Sequence, residues 1–210
     1  VAVKSTYDGV KIGWETDDLV AIYDGTAKRQ FTVKSIDNGI ATLQGQVSKD
    51  ATEFYAVFPY SAAGDVLPTQ DGQVSLNMPA VQTLAEGKNF DEDAMVTVGK
   101  VQDGNVVLKN VVSLLKLNIP EGVASVRLQG FAYENIAGAV TASADAVAGA
   151  AESSSVTLMP SGETFAAGTH YIALLPTKFT AGFKVIYSKT GQMAVAKAEG
   201  EVEFPRKGGF

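Results

Sequence analysis

The feature that most constrains the fold is a repeated pattern of short runs of Val, Ile, Leu, Phe, Tyr and Thr, each bounded by Gly, Asp, Asn or Pro. Runs at a spacing of about 8–12 residues are typical of antiparallel strands joined by turns. Residues 10–14 and 31–36 alternate in this way, and Asp37-Asn38-Gly39 joins the second run to residues 40–45. Because Asn-Gly steps supply the positive φ that tight hairpins need, the pattern predicts an all-β fold.

The same pattern continues along the chain. Asp-Gly steps predict further turns at Asp8-Gly9, Asp24-Gly25, Asp71-Gly72 and Asp103-Gly104. Further strands are predicted at residues 19–23, 114–119, 125–128, 156–159, 170–175 and 183–188. The alanine-rich stretch 142–151 has little amphipathic character and contains Gly149, which predicts a loop or a single helical turn. The polar stretch 83–93 predicts a long loop.

The number of predicted strands indicates two domains. About fourteen strands exceed the seven to nine that an immunoglobulin-type sandwich holds in about 100 residues. The sequence therefore predicts two tandem antiparallel β-sandwich domains, transthyretin-like or Greek-key, at residues 1–109 and 110–210. The boundary falls at Lys109-Asn110, between the strand 106–108 and the apolar run 111–119. No Pro-rich or Gly-rich linker separates the halves, so we expect them to pack against each other.

Composition excludes several classes of function. A net charge of −6 and only three arginines, Arg29, Arg127 and Arg206, argue against nucleic-acid binding. The absence of cysteine excludes disulfides, thiolate catalysis and Cys-based metal sites. No apolar run approaches the about 18 residues that span a bilayer. Because the sequence starts at Val1 rather than Met, we expect a processed or trimmed chain, and any export signal would lie upstream of Val1.

Residues that could carry chemistry are sparse. His170 is the single histidine, and no Gly-x-Ser-x-Gly elbow accompanies it, so a strand-end role is favoured over catalysis.

The acidic run 91–93 lacks the ligand spacing of an EF-hand and predicts a solvated loop, with calcium as the alternative. Asp17-Asp18 predicts a turn before a strand. A glycosidase pair assembled from separate strands leaves no sequence signature, and no glycine-rich phosphate loop is present. No catalytic residue, cofactor or metal site is predicted.

Four aromatic residues raise the question of a sugar-binding platform. Alternation on the strands predicts that Trp14 and Phe58 are core residues, since each large apolar side chain contributes about 1.5–3 kcal/mol when buried. Tyr55 and Tyr60 are the candidate ligand-contacting residues, because aromatic faces suit pyranose rings. The sequence leaves core packing and ligand contact open for these two tyrosines.

Several short phrases follow one another along the chain. They are Trp14 with Asp17-Asp18 and 19–23, Leu43-Gln44-Gly45, the run 55–60, Met78-Pro79-Ala80-Val81-Gln82 with Phe90-Asp91 and Met95-Val96, Leu108-Lys109-Asn110 with 113–119, Ile136-Ala137-Gly138, and Leu175-Pro176 with Ala181-Gly182-Phe183. Taken in this order, the phrases resemble the fimbrillin-like family of pilus subunits and related surface lipoproteins of Bacteroides-type bacteria. The similarity extends from about residue 10 to about residue 205, and Thr16-Asp17 departs from the Gly-Asp that is more frequent in the family.

The resemblance implies a non-enzymatic adhesive or structural protein at the cell surface or outer membrane, either a pilus component or a stand-alone lipoprotein. Its partners would be other pilus or surface subunits, joined by strand addition, or a protein or glycan ligand on a surface. Membrane attachment would come only through a lipid-bearing Cys upstream of Val1. The alternative is a glycan-binding module of a polysaccharide-uptake system.

The two ends of the chain bear on assembly. Strand-like residues run close to both, at Val1-Ala2-Val3 and at residues 201–204. In the polymerising members that the sequence resembles, terminal strands are exchanged between subunits, so we expect one terminal strand to occupy an edge position that a partner's strand could take. Because Pro205 cannot donate a ladder hydrogen bond, the last strand should end before it and leave a loose basic tail.

Overall fold

The computed structural model describes the backbone of residues 2–3, 6–7, 10–11, 13–148 and 151–206, and the side chains from residue 13 onward within these ranges. Strands make up 52% of these residues and helix 3%. The sheets are curled and largely antiparallel, so the predicted all-β sandwich fold is confirmed. No helix among the described residues has the length and apolar character needed to cross a membrane.

Twenty-two strands lie within the described residues, many of only two or three residues, compared with the fourteen that the sequence predicts. Their bounds are β1 Ala2–Val3, β2 Thr6–Tyr7, β3 Val10–Lys11, β4 Leu19–Tyr23, β5 Lys28–Asp37, β6 Ile40–Gln44, β7 Tyr55–Phe58, β8 Val74–Met78, β9 Val81–Thr83, β10 Thr97–Gln102, β11 Asn105–Val107, β12 Lys109–Asn110, β13 Ser113–Ile119, β14 Ser125–Gly130, β15 Gly138–Ala142, β16 Val147–Ala148, β17 Ser155–Met159, β18 Gly168–Leu174, β19 Thr177–Phe179, β20 Gly182–Lys189, β21 Gln192–Glu199 and β22 Val202–Phe204. Two short 3-10 helices cover Tyr60–Ala62 and Glu92–Ala94.

The chain forms two compact units, each assembled from several segments. Unit 1 comprises Val1–Asn77, Met95–Val111 and Ala139–Gly149, and unit 2 comprises Met78–Ala94, Val112–Gly138 and Ala150–Phe210. The division into sandwich domains at residues 109 and 110 stays a prediction.

Unit 1 contains a closed ring of paired strands. The order β11-β1-β6-β5-β4-β7-β10 is completed by pairing of β10 with β11, and we call these seven strands the strand ring. Alternate residues of the ring point inward, as Val20 and Ile22 do on β4 and as Ala56 and Phe58 do on β7, and they form one buried cluster with Trp14. The Trp14 and Phe58 rings meet edge to face at 5.1 Å. Both aromatics are therefore core residues, as the alternation predicts.

Unit 2 contains a five-stranded sheet in the order β21-β20-β14-β17-β9, together with the pairs β13–β18 and β19–β22. The inner faces of β14 and β17 contribute fully buried Leu128 and Leu158. Phe179 and Phe204 meet edge to face at 5.5 Å, and both lie within 5.6 Å of the Phe183 ring. These aromatic contacts attach the pair β19–β22 to β20, so the C-terminal strand belongs to the core.

The predicted turns have the expected backbone. Asn38 and Gly39 have φ values of 50° and 79°, and Asp103 and Gly104 have 50° and 75°, so both pairs adopt the left-handed conformation that a two-residue hairpin requires. Gly25 and Gly72 also have positive φ, as the turns predicted at these positions require. The turn predicted at Asp8-Gly9 and the tail 207–210 lie outside the described residues. β22 ends at Phe204, directly before Pro205.

Three features differ from the sequence-based expectation. The described part of the stretch 142–151 is a short hairpin rather than a single loop or helical turn, because β16 pairs with β15 and only residues 143–146 form the turn between them. β21 is an eight-residue strand that the prediction does not include. The pairings of β1 with β11 and of β9 with β17 are parallel, which departs from purely antiparallel sandwiches.

Candidate functional site

Tyr55 lies at the start of β7 and is half-buried. The Nζ atom of Lys100 lies 5.4 Å from the centroid of the Tyr55 ring, and the same Nζ donates to Glu53 at 2.8 Å. A Cβ atom built on Gly72 would lie 2.8 Å from the ring, so Gly72 allows the turn at residue 72 to pack directly against the tyrosine. Tyr55 also lines a polar cavity of about 230 Å³ with Asp71 and Asp145. A sugar stacking on this ring would have to displace the lysine.

Tyr60 begins the first 3-10 helix and is likewise half-buried. The Nζ atom of Lys28 lies 5.0 Å from its ring centroid, donates to the Ala63 carbonyl at 3.0 Å and pairs with Asp65. Each tyrosine therefore has its own lysine and its own carboxylate, and the structure gives them no shared cation. Ligand contact at Tyr55 and Tyr60 stays a prediction.

His170 is the third residue of β18 and packs its ring against Phe165 at a centroid distance of 5.2 Å. Its Nε2 atom lies 3.4 Å from the Ala166 carbonyl oxygen. This is the strand-end position that the sequence favours. Neither contact is with a serine, an acid or another group of a catalytic arrangement.

The acidic residues singled out in the sequence shape turns. Asp91 accepts hydrogen bonds from the Thr83 and Asp93 amides, and burial raises its pKa against the opposing effect of these bonds. Asp18 accepts from the Glu15 amide, while the Asp17 amide donates to Val33 and thereby aligns the turn with β5. Among the described residues, no group of three or more His, Cys, Asp or Glu side chains has the arrangement that could hold a metal ion.

A buried carboxylate fixes the hairpin between β4 and β5. Asp24 accepts from Arg29 at 2.7 Å, from Thr26 at 2.6 Å and from the Ser48 amide at 2.8 Å. Burial by itself would raise the pKa of Asp24, but the hydrogen bonds from Thr26, Ser48, Arg29 and Ala27 outweigh it and hold the pKa well below its usual range. These bonds attach the loop after β6 to the hairpin.

The strand ring has one unusual member. The described residues of β1 pair on both sides, with Ala41 and Ile40 of β6 in antiparallel register and with Val106 and Val107 of β11 in parallel register. The N-terminal strand is therefore not the terminal strand that lies at an edge. Instead it closes the gap between β6 and β11. The C-terminal strand β22 pairs with β19 on one side.

An apolar groove of about 260 Å³ lies at one end of the strand ring, lined mainly by Ile22, Phe31, Leu43, Phe54, Val101 and Val106. Leu43 and Val106 belong to the two strands that β1 joins. Phe31, Leu43, Phe54 and Val101 are only partly buried although they pack on the core cluster. The groove is therefore an opening in the core beside the gap that β1 fills.

Comparison with known proteins supports the fold. A candidate cell adhesion protein from Bacteroides ovatus ATCC 8483 matches with a TM-score of 0.54 at 12% sequence identity, over 90% of this chain and 80% of that chain. A fimbrial protein from the same organism matches with a TM-score of 0.35 at 12% identity, over 100% of this chain and 46% of that chain. This TM-score is too low to show a shared fold. No family model and no curated protein matches the sequence. At this identity the first likeness shows a shared fold.

Proposed function

We propose that the chain is a non-enzymatic adhesive or structural protein of the fimbrillin-like kind, exported to the cell surface, and that unit 1 receives a strand from a partner subunit. The observation that carries the proposal is the position of β1 between β6 and β11. The Bacteroides ovatus protein with the shared fold is a candidate cell adhesion protein, and this supports the surface assignment. The phrases shared with the fimbrillin-like family support it independently.

Strand replacement at this position is physically reasonable because β1 is held between β6 and β11 by main-chain pairing, which any extended chain can supply. Each backbone hydrogen bond contributes about 0.5–1.5 kcal/mol net, so the pairing of Ala2 and Val3 contributes a few kcal/mol. A partner strand that made the same pairing and also covered the apolar groove would replace β1 with a net gain.

The proposal excludes catalysis and leaves glycan binding as the alternative. A glycan module would require a free aromatic face, and the lysines over Tyr55 and Tyr60 do not favour one. A pilus component would assemble through the strand ring, whereas a stand-alone lipoprotein would keep β1 in place. The presence or absence of strand exchange therefore distinguishes a pilus component from a stand-alone lipoprotein.

The experiment removes residues 1–6 and measures oligomeric state by size-exclusion chromatography with light scattering, with and without a synthetic peptide of that sequence. We expect the truncated protein to lose a few kcal/mol of stability, to self-associate, and to return to a stable monomer when the peptide is added. The matched controls are a peptide of scrambled order and a variant that lacks residues 207–210. A truncated protein that stays monomeric, equally stable and indifferent to the peptide would exclude strand exchange at β1.

A further inference from the structure

The longest exposed strand of unit 2 has a free edge. β21 spans eight residues and, within the described chain, pairs only with β20. Seven of its residues are exposed, and the eighth, Ala198, is partly exposed. Met193 and Val195 are 75% and 50% exposed. An exposed edge of this length is a template on which another extended chain can add.

Register determines which backbone groups point to the free side. Lys189 pairs with Gln192 across the two-residue turn Thr190-Gly191, and Gly191 has a φ of 71°. Such a closing pair exchanges both hydrogen bonds, and the pattern then alternates along the ladder. On β20, the Gly182 and Ser188 carbonyls accept from the Phe131 and Ala124 amides, on the side of β20 that faces away from β21. This agrees with the alternation, because Gly182 and Ser188 then belong to the residues that do not bond to β21. The amides and carbonyls of residues 193, 195, 197 and 199 therefore point outward.

The outer face beside this edge carries three cations and one acid, whereas the whole chain has a net charge of −6, and the row of β21 on this face consists of Met193, Val195, Lys197 and Glu199. Lys197 lies directly opposite Lys184, and Arg127 lies opposite Ile186 in the adjacent row of the same face. Within the described chain, none of the three cations has a hydrogen bond or an ion pair. Side chains directly opposite have Cβ atoms about 4.5–5.5 Å apart, and like charges in such a pair are destabilising. An anionic group between them would remove this cost.

A groove of about 430 Å³ adjoins the same edge. Its lining is mostly apolar, with Ala194, Ala196, Tyr187, Pro120 and Val123, and it also includes the polar residues Asn118, Glu121, Lys189 and Gln192. A strand added at the edge would direct alternate side chains into this groove and the intervening ones toward the cations, because successive residues point to opposite faces. The groove side suits small apolar side chains and the outer side suits carboxylates.

We propose that β21 is a docking edge for an extended peptide in which acidic residues alternate with small apolar ones, supplied by a partner protein. Charge complementarity with Lys184, Lys197 and Arg127 selects the acidic side of the peptide, and the outward amides and carbonyls of β21 hold its backbone. A polyanionic polysaccharide or an anionic lipid surface would match the cations but leave these backbone groups unused. The site lies in unit 2 and does not depend on strand exchange at β1.

The test uses the full chain and an eight-residue peptide that alternates Glu with Val and Ala, titrated by fluorescence anisotropy. We expect the Lys184→Glu/Lys197→Glu variant to bind at least about tenfold more weakly, while the matched Lys34→Glu/Lys49→Glu variant, with the same change in charge at exposed sites of unit 1, binds normally. A peptide with Lys in place of Glu should not bind. Val195→Pro should abolish binding and Val195→Ala should retain it, because only the first removes an outward amide.

Two further measurements leave the protein unchanged. N-methylation of alternate amides of the peptide should abolish binding, and hydrogen exchange at the amides of residues 193, 195 and 197 should slow by at least about tenfold when the peptide saturates the protein. Equal binding of the Glu and Lys peptides, or of the N-methylated peptide, would overturn the proposal. Dextran sulfate that binds the Val195→Pro variant as tightly as the parent, with no slowing of exchange, would show an anion-binding face instead of a strand acceptor.

Discussion

Replacing Gln82 by Met tests how unit 2 holds the segment that contains β9. The Gln82 side chain is fully buried, donates from Nε2 to the Ala173 carbonyl at 2.7 Å, and accepts from the Ala173 amide at 3.0 Å. The side-chain amide thus makes the two hydrogen bonds to the β18 backbone that a neighbouring strand would otherwise make. Methionine has a similar length and no hydrogen-bonding amide, so the substitution removes the two hydrogen bonds to Ala173, together with a longer one of 3.4 Å to the Pro79 carbonyl, with little change in volume.

The expected magnitude follows from the groups that lose their partners. Ala173 is 2% exposed, so its amide and carbonyl would be left without water or protein partners. Each buried unsatisfied group costs about 1–3 kcal/mol, and the pair therefore costs about 4 kcal/mol. A chain of this size loses about 2–4 °C of Tm per kcal/mol, so the expected decrease is about 10 °C.

The assay is thermal and urea unfolding followed by circular dichroism, with Gln30→Met as the matched control. Gln30 is an exposed strand residue, and its substitution should change stability by less than about 0.5 kcal/mol. A loss below about 1 kcal/mol for Gln82→Met would refute the reasoning, because it would mean that the two Ala173 groups find other partners.

A second substitution at the same position separates the hydrogen bonds from general packing. Burial should raise the pKa of the introduced carboxyl in the Gln82→Glu variant well above the about 4.3 of an exposed Glu. The protonated form can again donate to Ala173. Because the folded-state pKa is raised, the variant should gain stability as the pH falls from 7 to 5, while the parent changes little over this range.

Four further predictions concern single residues. The pKa of Asp24 is held well below its unfolded value of about 3.9, so its contribution is complete above that pH and the parent should lose stability below about pH 4, an effect that Asp24→Asn should diminish in acid-unfolding curves. Gly182→Ala should cost more than about 2 kcal/mol, because its φ is 91° and a Cβ atom would lie 2.0 Å from the Ala198 carbonyl oxygen, whereas Gly13→Ala, with nothing nearby, should be neutral in the same melts. Trp14→Ala should cost about 3–5 kcal/mol and abolish the tryptophan fluorescence. His170→Ala should change stability by less than about 1 kcal/mol, and a larger loss would contradict the assigned strand-end role.

The sequence predicts the strands that carry their own signals. Residues 19–23 coincide with β4 because they form a continuous apolar run that ends at the Asp24-Gly25 turn. The run 31–36 lies inside β5 because apolar and polar residues alternate there before the Asn38-Gly39 turn. The core positions of Trp14 and Phe58 follow from the same alternation. Local composition is sufficient where one face of a strand is apolar and a turn residue marks each end.

The features missed by the sequence depend on distant partners. β21 is rich in alanine and contains Lys197, and nothing local indicates a strand, because its pairing comes from β20. Gln82 lies in the Met78–Gln82 phrase that contributes to the family resemblance, yet its partner Ala173 is far along the chain. Only the folded backbone identifies that partner. The docking edge could not be predicted for the same reason, since Lys184 and Lys197 lie opposite each other only when β20 and β21 are paired.

The placement of β1 also has a kinetic consequence. Ala2 pairs with Val106, about 100 residues later, so the strand ring cannot close until nearly half of the chain is available. At the usual synthesis rate of about 5–20 residues per second, residues 105–107 appear several seconds after β1. During that interval the side of β1 that later pairs with β11 has no partner. A nascent chain therefore passes through an open ring, in which its own first residues and those of a neighbouring molecule compete for the same position.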